Sequence, residues 1–202
     1  QPAIAVSSPV NKYDGFIIRL SAAGAWQWST YFGGNETDIF GELSTDKHGN
    51  VFVTGTSSSS NFPIQNLPGA YNQATNTGSS DGIIVKFDKS GVLNWSALIG
   101  GANSDFLGTI TINELGELYL SGTSVSTNFP TQQPGGAYYD NTFGGGNYDI
   151  VALKFTSTGL LNWSTYFGGM GDEWNTGIAY ASNGKIYLTG EFVDLSGVPT
   201  LS

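Results

Sequence analysis

The sequence predicts an all-β fold made of a repeated unit of four short antiparallel strands. The first observation behind this is a heptapeptide that occurs three times, as WSTYFGG at residues 28–34, WSALIGG at 95–101 and WSTYFGG at 163–169. The second is the spacing of the copies, 67 and then 68 residues, which several surrounding Asp and Gly positions share. Self-similarity at a fixed period indicates a stack of one supersecondary unit.

The first strand of each unit is indicated by alternating apolar side chains. Residues 15–20, GFIIRL, place Phe16, Ile18 and Leu20 on one face, and a period of two is typical of a strand. The corresponding residues of the other units are Ile83, Val85 and Phe87, and Val151, Leu153 and Phe155.

The second strand carries the repeated tryptophan and follows a turn that contains Gly24, Gly91 or Gly159. Glycine permits the positive φ that a tight hairpin requires. A third strand is predicted at about residues 41–45 and its equivalents, and another glycine turn leads to the fourth strand, VFVTG, LYLSG or IYLTG. Four antiparallel strands per period is the number in one blade of a β-propeller.

Long polar loops separate the units. Residues 56–80 and 123–148 are rich in Ser, Asn, Gly, Gln and Pro, and each contains an NFP motif and a GAY-type motif. The extra residue of the second period also lies here, and insertions collect where packing tolerates them. We therefore expect surface loops, each anchored in the core by its NFP phenylalanine, Phe62 or Phe129, and no linker between independent domains.

The combined pattern resembles the bacterial SBBP family, a repeat associated with seven-bladed β-propellers. The resemblance covers about residues 14–202: WSTYFGG and the strand motif VFVTG, LYLSG or IYLTG occur in three copies, NFP and GAY follow the first two, and the pattern weakens after Gly190. The resemblance implies a scaffold of secreted and surface proteins of bacteria, with no shared catalytic residue. It also implies that residues 41–45 and their copies line the propeller axis, that the tryptophan strand is outermost, and that the NFP loops join the second and third strands of a blade.

In this arrangement the chain is a single β-propeller segment over residues 1–202, with repeats at about 14–80, 81–148 and 149–202. It begins with two outer strands and ends with two inner ones, which gives about three blades, whereas propellers typically have four to eight. Three explanations are open: an excerpt of a longer propeller, assembly with further copies of the chain, or an open arc capped by another protein. The unfinished ends favour the excerpt.

Composition excludes several classes of function. The net charge of −9 repels nucleic acid and anionic lipid, and no apolar run approaches the roughly 20 residues needed for membrane insertion. Cysteine is absent and His48 is the only histidine, so we expect no disulfide, no metal site and no cofactor. The charged fraction of 11% is low against about a quarter in ordinary soluble domains, which favours an extracellular or cell-surface location.

Two recurring side chains have both a structural and a functional interpretation. The repeated tryptophans could stack on sugar rings, but their identical register favours a core position between blades. The acidic residues that recur after the GG turn could serve a glycosidase or bind calcium, but such turn carboxylates most often accept backbone hydrogen bonds. We assign both sets to the structural repeat: Trp28, Trp95, Trp163, Asp38, Asp105 and Glu173.

The loops and the tryptophans outside the repeat are the predicted binding surface, because they combine aromatic faces with amide and hydroxyl groups. The candidates are Asn61, Tyr71, Asn128, Tyr138, Tyr139, Trp26 and Trp174.

No nucleophile elbow accompanies His48, and no catalytic residue is predicted. We therefore expect a non-catalytic scaffold that mediates adhesion, surface assembly, or glycan or protein binding, with further blades supplied by a longer chain or by another copy. The alternatives are part of an extracellular carbohydrate-active enzyme, a glycosidase or lyase, and a subunit of an extracellular fibre.

Overall fold

The computed structural model describes residues 12–133, 135–136, 138–194 and 196–198. These residues form strands and turns without a helix, which confirms the predicted all-β class. No helix able to cross a membrane occurs in this part of the chain. The strands are β1 (Gly15–Leu20), β2 (Trp26–Phe32), β3 (Asp38–Thr45), β4 (Val51–Ser57), β5 (Asp81–Phe87), β6 (Leu93–Ile99), β7 (Asp105–Ile112), β8 (Leu118–Ser124), β9 (Asp149–Phe155), β10 (Leu161–Phe167), β11 (Glu173–Tyr180) and β12 (Ile186–Phe192).

The strands form two complete four-stranded antiparallel sheets and two strand pairs. One sheet has the order β3-β4-β5-β6 and the other β7-β8-β9-β10, while β1-β2 and β11-β12 stand as pairs. Each complete sheet therefore takes its first two strands from one sequence period and its last two from the next. This order confirms the prediction that the NFP loops join the second and third strands of a blade.

The first strands of the two complete sheets, β3 and β7, lie beside each other, and β11, the first strand of the last pair, lies beside β7. Thr109 Oγ1 on β7 donates to Asn175 Oδ1 on β11 at 3.0 Å, and Glu42 on β3 accepts a hydrogen bond from the backbone N–H of Ile110 at 2.9 Å. These contacts place the first strands innermost, as the blade arrangement requires.

Each complete sheet buries both faces, because successive side chains of a strand point to opposite sides. One core lies between the β1-β2 pair and the first complete sheet. Its buried members are Ile17, Phe32, Val53, Phe62, Ile83, Val85, Phe87 and Leu98. A larger core lies between the two complete sheets. Its buried members are Phe52, Ile84, Trp95, Ala97, Ile99, Leu107, Ile110, Leu118, Leu120, Phe129, Val151, Leu153, Phe155, Leu161 and Tyr166.

The repeated tryptophans pack on the hairpin glycine of the following unit. A Cβ atom built on Gly159, whose φ is +82°, would lie 3.2 Å from the Trp95 ring, and one built on Gly91 would lie 3.1 Å from the Trp28 ring. Trp95 is 1% exposed, and its Nε1 donates to the carbonyl of Tyr71 at 3.2 Å. Trp28 and Trp163 are half-buried.

The described strands do not close into a ring. β1 is paired only with β2, and β12 only with β11. Phe16, Ile18 and Leu20 on β1 are exposed, and so are Tyr187 and Leu188 on β12.

Candidate functional site

Three pairs of carboxylates recur at the GG turns. In each pair, one residue begins or immediately precedes β1, β5 or β9, and the other begins β3, β7 or β11. They approach the first glycine of the turn so closely that a Cβ atom on Gly100 would lie 2.6 Å from Asp81 Oδ1 and 2.7 Å from Asp105 Oδ2. The pairs are Asp14 and Asp38, Asp81 and Asp105, and Asp149 and Glu173.

The Asp81–Asp105 pair is held by hydrogen bonds within the chain. Asp105 Oδ2 accepts from the backbone N–H of Gly101 at 2.7 Å and from the Ser126 hydroxyl at 2.8 Å. Asp81 Oδ2 accepts from the backbone N–H of Thr77 at 2.8 Å. Burial nevertheless raises the pKa of both carboxyls above the ordinary value.

The Asp149–Glu173 pair has fewer hydrogen bonds. Asp149 Oδ2 accepts from the backbone N–H of Gly144 at 2.6 Å. Both carboxylate oxygens of Glu173 are buried without a hydrogen bond of normal geometry to the described residues. Burial, together with the neighbouring charge of Glu173, raises the pKa of Asp149 to about 6, and burial also raises the pKa of Glu173.

This geometry suits turn anchoring better than acid–base chemistry on a large substrate. Asp38, Asp105 and Glu173 are each 2% exposed or less, and Gly34 and Gly101 donate to the first two of them as turn hydrogen bonds. Among the described residues, no group of three or more His, Cys, Asp and Glu side chains is placed to hold a metal ion.

The recurring basic residues lie over aromatic rings of the neighbouring strand. The Nζ of Lys86 lies 5.1 Å from the ring centre of Phe52, and that of Lys154 lies 5.3 Å from that of Tyr119. Lys154 also forms a 2.8 Å ion pair with Glu117. A pairing of Lys154 with Asp149 is ruled out, because five residues of extended strand separate the two by roughly 16 Å along β9.

Two of the predicted binding residues serve the GG turns. Asn61 Oδ1 accepts from the backbone N–H of Asn35 at 2.7 Å, and Asn128 Oδ1 accepts from that of Ala102 at 2.8 Å. These amide oxygens therefore tie each NFP loop to the preceding turn. The adjacent phenylalanines, Phe62 and Phe129, are buried, as expected of loop anchors.

The loop tyrosines differ in exposure. Tyr71 is half-buried, its backbone N–H donates to the Gly159 carbonyl at 2.8 Å, and burial raises its pKa to about 12. Tyr138 is 46% exposed and lies edge-on to Phe167, with 5.8 Å between ring centres. Tyr139 is half-buried, and its hydroxyl lies 3.3 Å from that of Thr131. Tyr138 is the most accessible of the three.

The two tryptophans outside the repeat lie in different places. Trp26 is 67% exposed at the start of the outer strand β2. Trp174 is the second residue of the inner strand β11, and its ring centre lies 5.6 Å from that of Tyr148.

Exposed apolar residues also occupy the position of Trp174 in the other two inner strands. The second residues of the three inner strands are Ile39, Phe106 and Trp174, and all three are exposed, as is Tyr148 beside them. We call these four residues the mouth surface, because they lie where the inner strands begin. Only Trp174 is among the residues predicted from the sequence. The signal for the other two lies in the repeat, since 39, 106 and 174 are one periodic position occupied by three large apolar residues.

Four-stranded antiparallel sheets with their first strands side by side define a protein of the β-propeller class. Residues 27–63 match the model of the SBBP family, which is described as a β-propeller repeat. This stretch of the chain is therefore similar to one repeat of the SBBP family. The match covers one stretch, and the three copies are a prediction from the spacing of the sequence motifs. A search of curated proteins found no match.

Proposed function

We propose that this chain is a non-catalytic β-propeller scaffold of a secreted or cell-surface bacterial protein, and that it binds a glycan or protein partner at the mouth surface. The observation that carries the proposal is the exposure of Ile39, Phe106, Trp174 and Tyr148 at one edge of adjacent inner strands. Large apolar side chains that cluster on a surface mark interaction sites more often than scattered ones do.

The chemistry of the mouth surface suits a neutral or weakly cationic ligand. Trp174 and Tyr148 offer aromatic faces at 40° to each other, which fits the apolar side of a pyranose ring. The net charge of −9 disfavours strongly anionic ligands.

The buried carboxylates support a non-catalytic function. A glycosidase needs two carboxyl groups that reach the substrate on either side of the scissile bond. Asp149 and Glu173 are both 0% exposed, and Glu42 on the inner strand β3 already accepts a hydrogen bond from Ile110. These positions favour roles in holding turns and strands together.

The test is binding to glycan arrays and to surface-protein extracts by the native chain and by a Trp174→Ala variant. We expect a ligand for the native chain and at least about a tenfold loss of affinity in the variant, because removal of a stacked aromatic costs on the order of 1.4 kcal/mol or more. Leu115→Ala is the matched control, since Leu115 is an exposed apolar residue in the turn at the far end of β7.

Two results would overturn the proposal. One is degradation of a polysaccharide by the chain in the absence of stable binding. The other is a ligand whose affinity is unchanged in Trp174→Ala and in a Phe106→Ala variant, because that ligand would bind elsewhere.

A further inference from the structure

The two strand pairs at the ends of the described chain are the two halves of one sheet. In the complete sheets, the inner pair β3-β4 or β7-β8 is followed by the outer pair β5-β6 or β9-β10. The pair β11-β12 is an inner half, and β1-β2 is an outer half. In the complete sheets, β4 pairs with β5 and β8 pairs with β9. β12 is the equivalent of β4 and β8, and β1 is the equivalent of β5 and β9. The edges of β12 and β1 that lack a partner strand are therefore the two edges that pair in a complete sheet.

The exposed face of β1 matches a face that is buried wherever the sheet is complete. Phe16, Ile18 and Leu20 are 62%, 51% and 55% exposed. Their equivalents on β5 and β9 are fully or almost fully buried against the preceding sheet: Ile83, Val85, Phe87, Val151, Leu153 and Phe155.

An apolar groove lies where such a face would pack. It has a volume of about 380 Å³ and runs between the second complete sheet and β12, with Trp163, Phe167, Ile186, Leu188 and Tyr138 among its lining residues. One period earlier, the equivalents of Trp163, Ile186 and Leu188 are Trp95, Leu118 and Leu120. These three are buried in a core that the outer strand β9 completes with Val151, Leu153 and Phe155.

The polar side chains also match across the two edges. In the complete sheets the basic residue of the third strand lies directly opposite an aromatic residue of the second strand: Lys86 opposite Phe52, and Lys154 opposite Tyr119. The same register places Arg19 opposite Tyr187, which is 57% exposed. Arg19 here donates to the carbonyl of Lys89 instead.

We propose that the β1-β2 pair of a second copy of this chain adds to the free edge of β12, in the register that places Leu188 opposite Ile18 and Tyr187 opposite Arg19. Phe16, Ile18 and Leu20 of the second copy then fill the groove, and the Trp163 ring packs on Gly24 of the second copy as Trp95 packs on Gly159. In the second complete sheet, Lys154 forms an ion pair with Glu117. Lys185 occupies the position equivalent to Glu117, so the junction is held by apolar packing and strand hydrogen bonds without this ion pair.

A second copy is the occupant because each chain carries both complementary halves. The described strands of one chain include the outer half β1-β2 and the inner half β11-β12, and the two halves together have the strand order of a complete sheet. An exposed strand edge is also a ready template for pairing with another chain. The inference is independent of the mouth surface, so failure of one proposal leaves the other standing.

The test uses single-cysteine variants, which report unambiguously because the chain has no cysteine of its own. Arg19→Cys and Tyr187→Cys change exposed side chains, and the native-like fold of each is checked by circular dichroism. When the two variants are mixed under mild oxidation, we expect a disulfide-linked dimer of twice the 21.3 kDa chain mass. The native chain is expected to sediment as a dimer at micromolar concentration.

The control replaces Arg19→Cys by Ile18→Cys, one residue away and also exposed. Because neighbouring side chains point to opposite faces, its mixture with Tyr187→Cys should cross-link at least about tenfold less. A chain that remains monomeric at high concentration without cross-links overturns the proposal. A cross-link within one chain in the Arg19→Cys, Tyr187→Cys double variant also overturns it, because the occupant would then be the chain's own β1-β2 pair.

Discussion

The Asp149–Glu173 pair illustrates how a repeated position can acquire a different chemistry. In the first two turns the inner-strand residue is Asp38 or Asp105, whose short side chain accepts a hydrogen bond from the second glycine of the turn. In the third turn the longer Glu173 takes this place, and its carboxylate is buried against Asp149 beside Gly168. Burial is the main reason that the pKa of Asp149 rises to about 6, and the nearby charge of Glu173 adds to it, because two buried carboxyls side by side cannot both ionise without cost.

This pair predicts that stability falls as the pH rises. Asp149 has a folded-state pKa of about 6 against an ordinary value of 3.8, so the folded chain binds more protons than the unfolded chain between about pH 4 and pH 6. The free energy of unfolding contributed by this group therefore declines through that window. An Asp149→Asn variant, whose amide oxygen can still accept from Gly144, should lose less stability than the native chain on going from about pH 4.5 to about pH 7.

Urea unfolding of both proteins at the two pH values measures this difference. Glu114→Gln is the matched control, because it also removes one carboxyl, but from an exposed turn outside the Asp149–Glu173 pair. Equal pH dependence in the native chain and in Asp149→Asn would show that Asp149 ionises normally in the folded state.

In each inner strand pair, a glycine on the second strand leaves room for the backbone of a β-bulge on the first strand. These glycines are Gly55, Gly122 and Gly190. The register between β7 and β8 shifts between Leu107 and Thr109, which brings the Phe106 carbonyl toward Gly122. A Cβ atom on Gly122 would lie 1.9 Å from that oxygen. The glycine of the repeated (T/S)-G motif is therefore required by sterics, and the bulge that it permits is repeated in each inner strand pair.

Gly122→Ala is accordingly expected to destabilise the chain by about 3 kcal/mol or more, because backbone must move to remove the clash. Gly135→Ala is the matched control, since nothing lies within 4 Å of its Cβ position, and its effect should be below about 0.5 kcal/mol. Thermal or urea unfolding measures both variants. A mild effect of Gly122→Ala would mean that β7 and β8 do not approach as described.

The sequence predicts the strands themselves well, because alternation, hairpin glycines and the fixed period are local signals. It does not pair the two carboxylate series with each other, because Asp81 and Asp105 are far apart in sequence and meet only at the turn. The sequence prediction does not select Ile39 and Phe106, because the third strand predicted at about residues 41–45 and its equivalents begins too late to include them. The ion pair of Lys154 has no signal in the repeat, because its partner Glu117 precedes a neighbouring strand and does not recur in the other units.

For the whole molecule, the decisive property is that each sheet crosses a boundary between sequence periods. The long loop after β4 carries the chain to β5 and buries Phe62 on the way, and the loop after β8 does the same with Phe129. Each period is thereby interlocked with the next, and the packed faces between sheets form two continuous cores. The arrangement leaves an outer half-sheet at one end and an inner half-sheet at the other.

The pairing of β4 tests this account most directly. Nuclear Overhauser contacts across the sheet should connect Val53 with Val85, and Leu120 with Leu153, which lie opposite each other in the β4-β5 and β8-β9 registers. If each sheet instead consisted of a single sequence period, Val53 would contact Ile18, and Leu120 would contact Val85. Observation of that second set of contacts would contradict the account, whereas the first set alone would establish sheets shared between neighbouring periods.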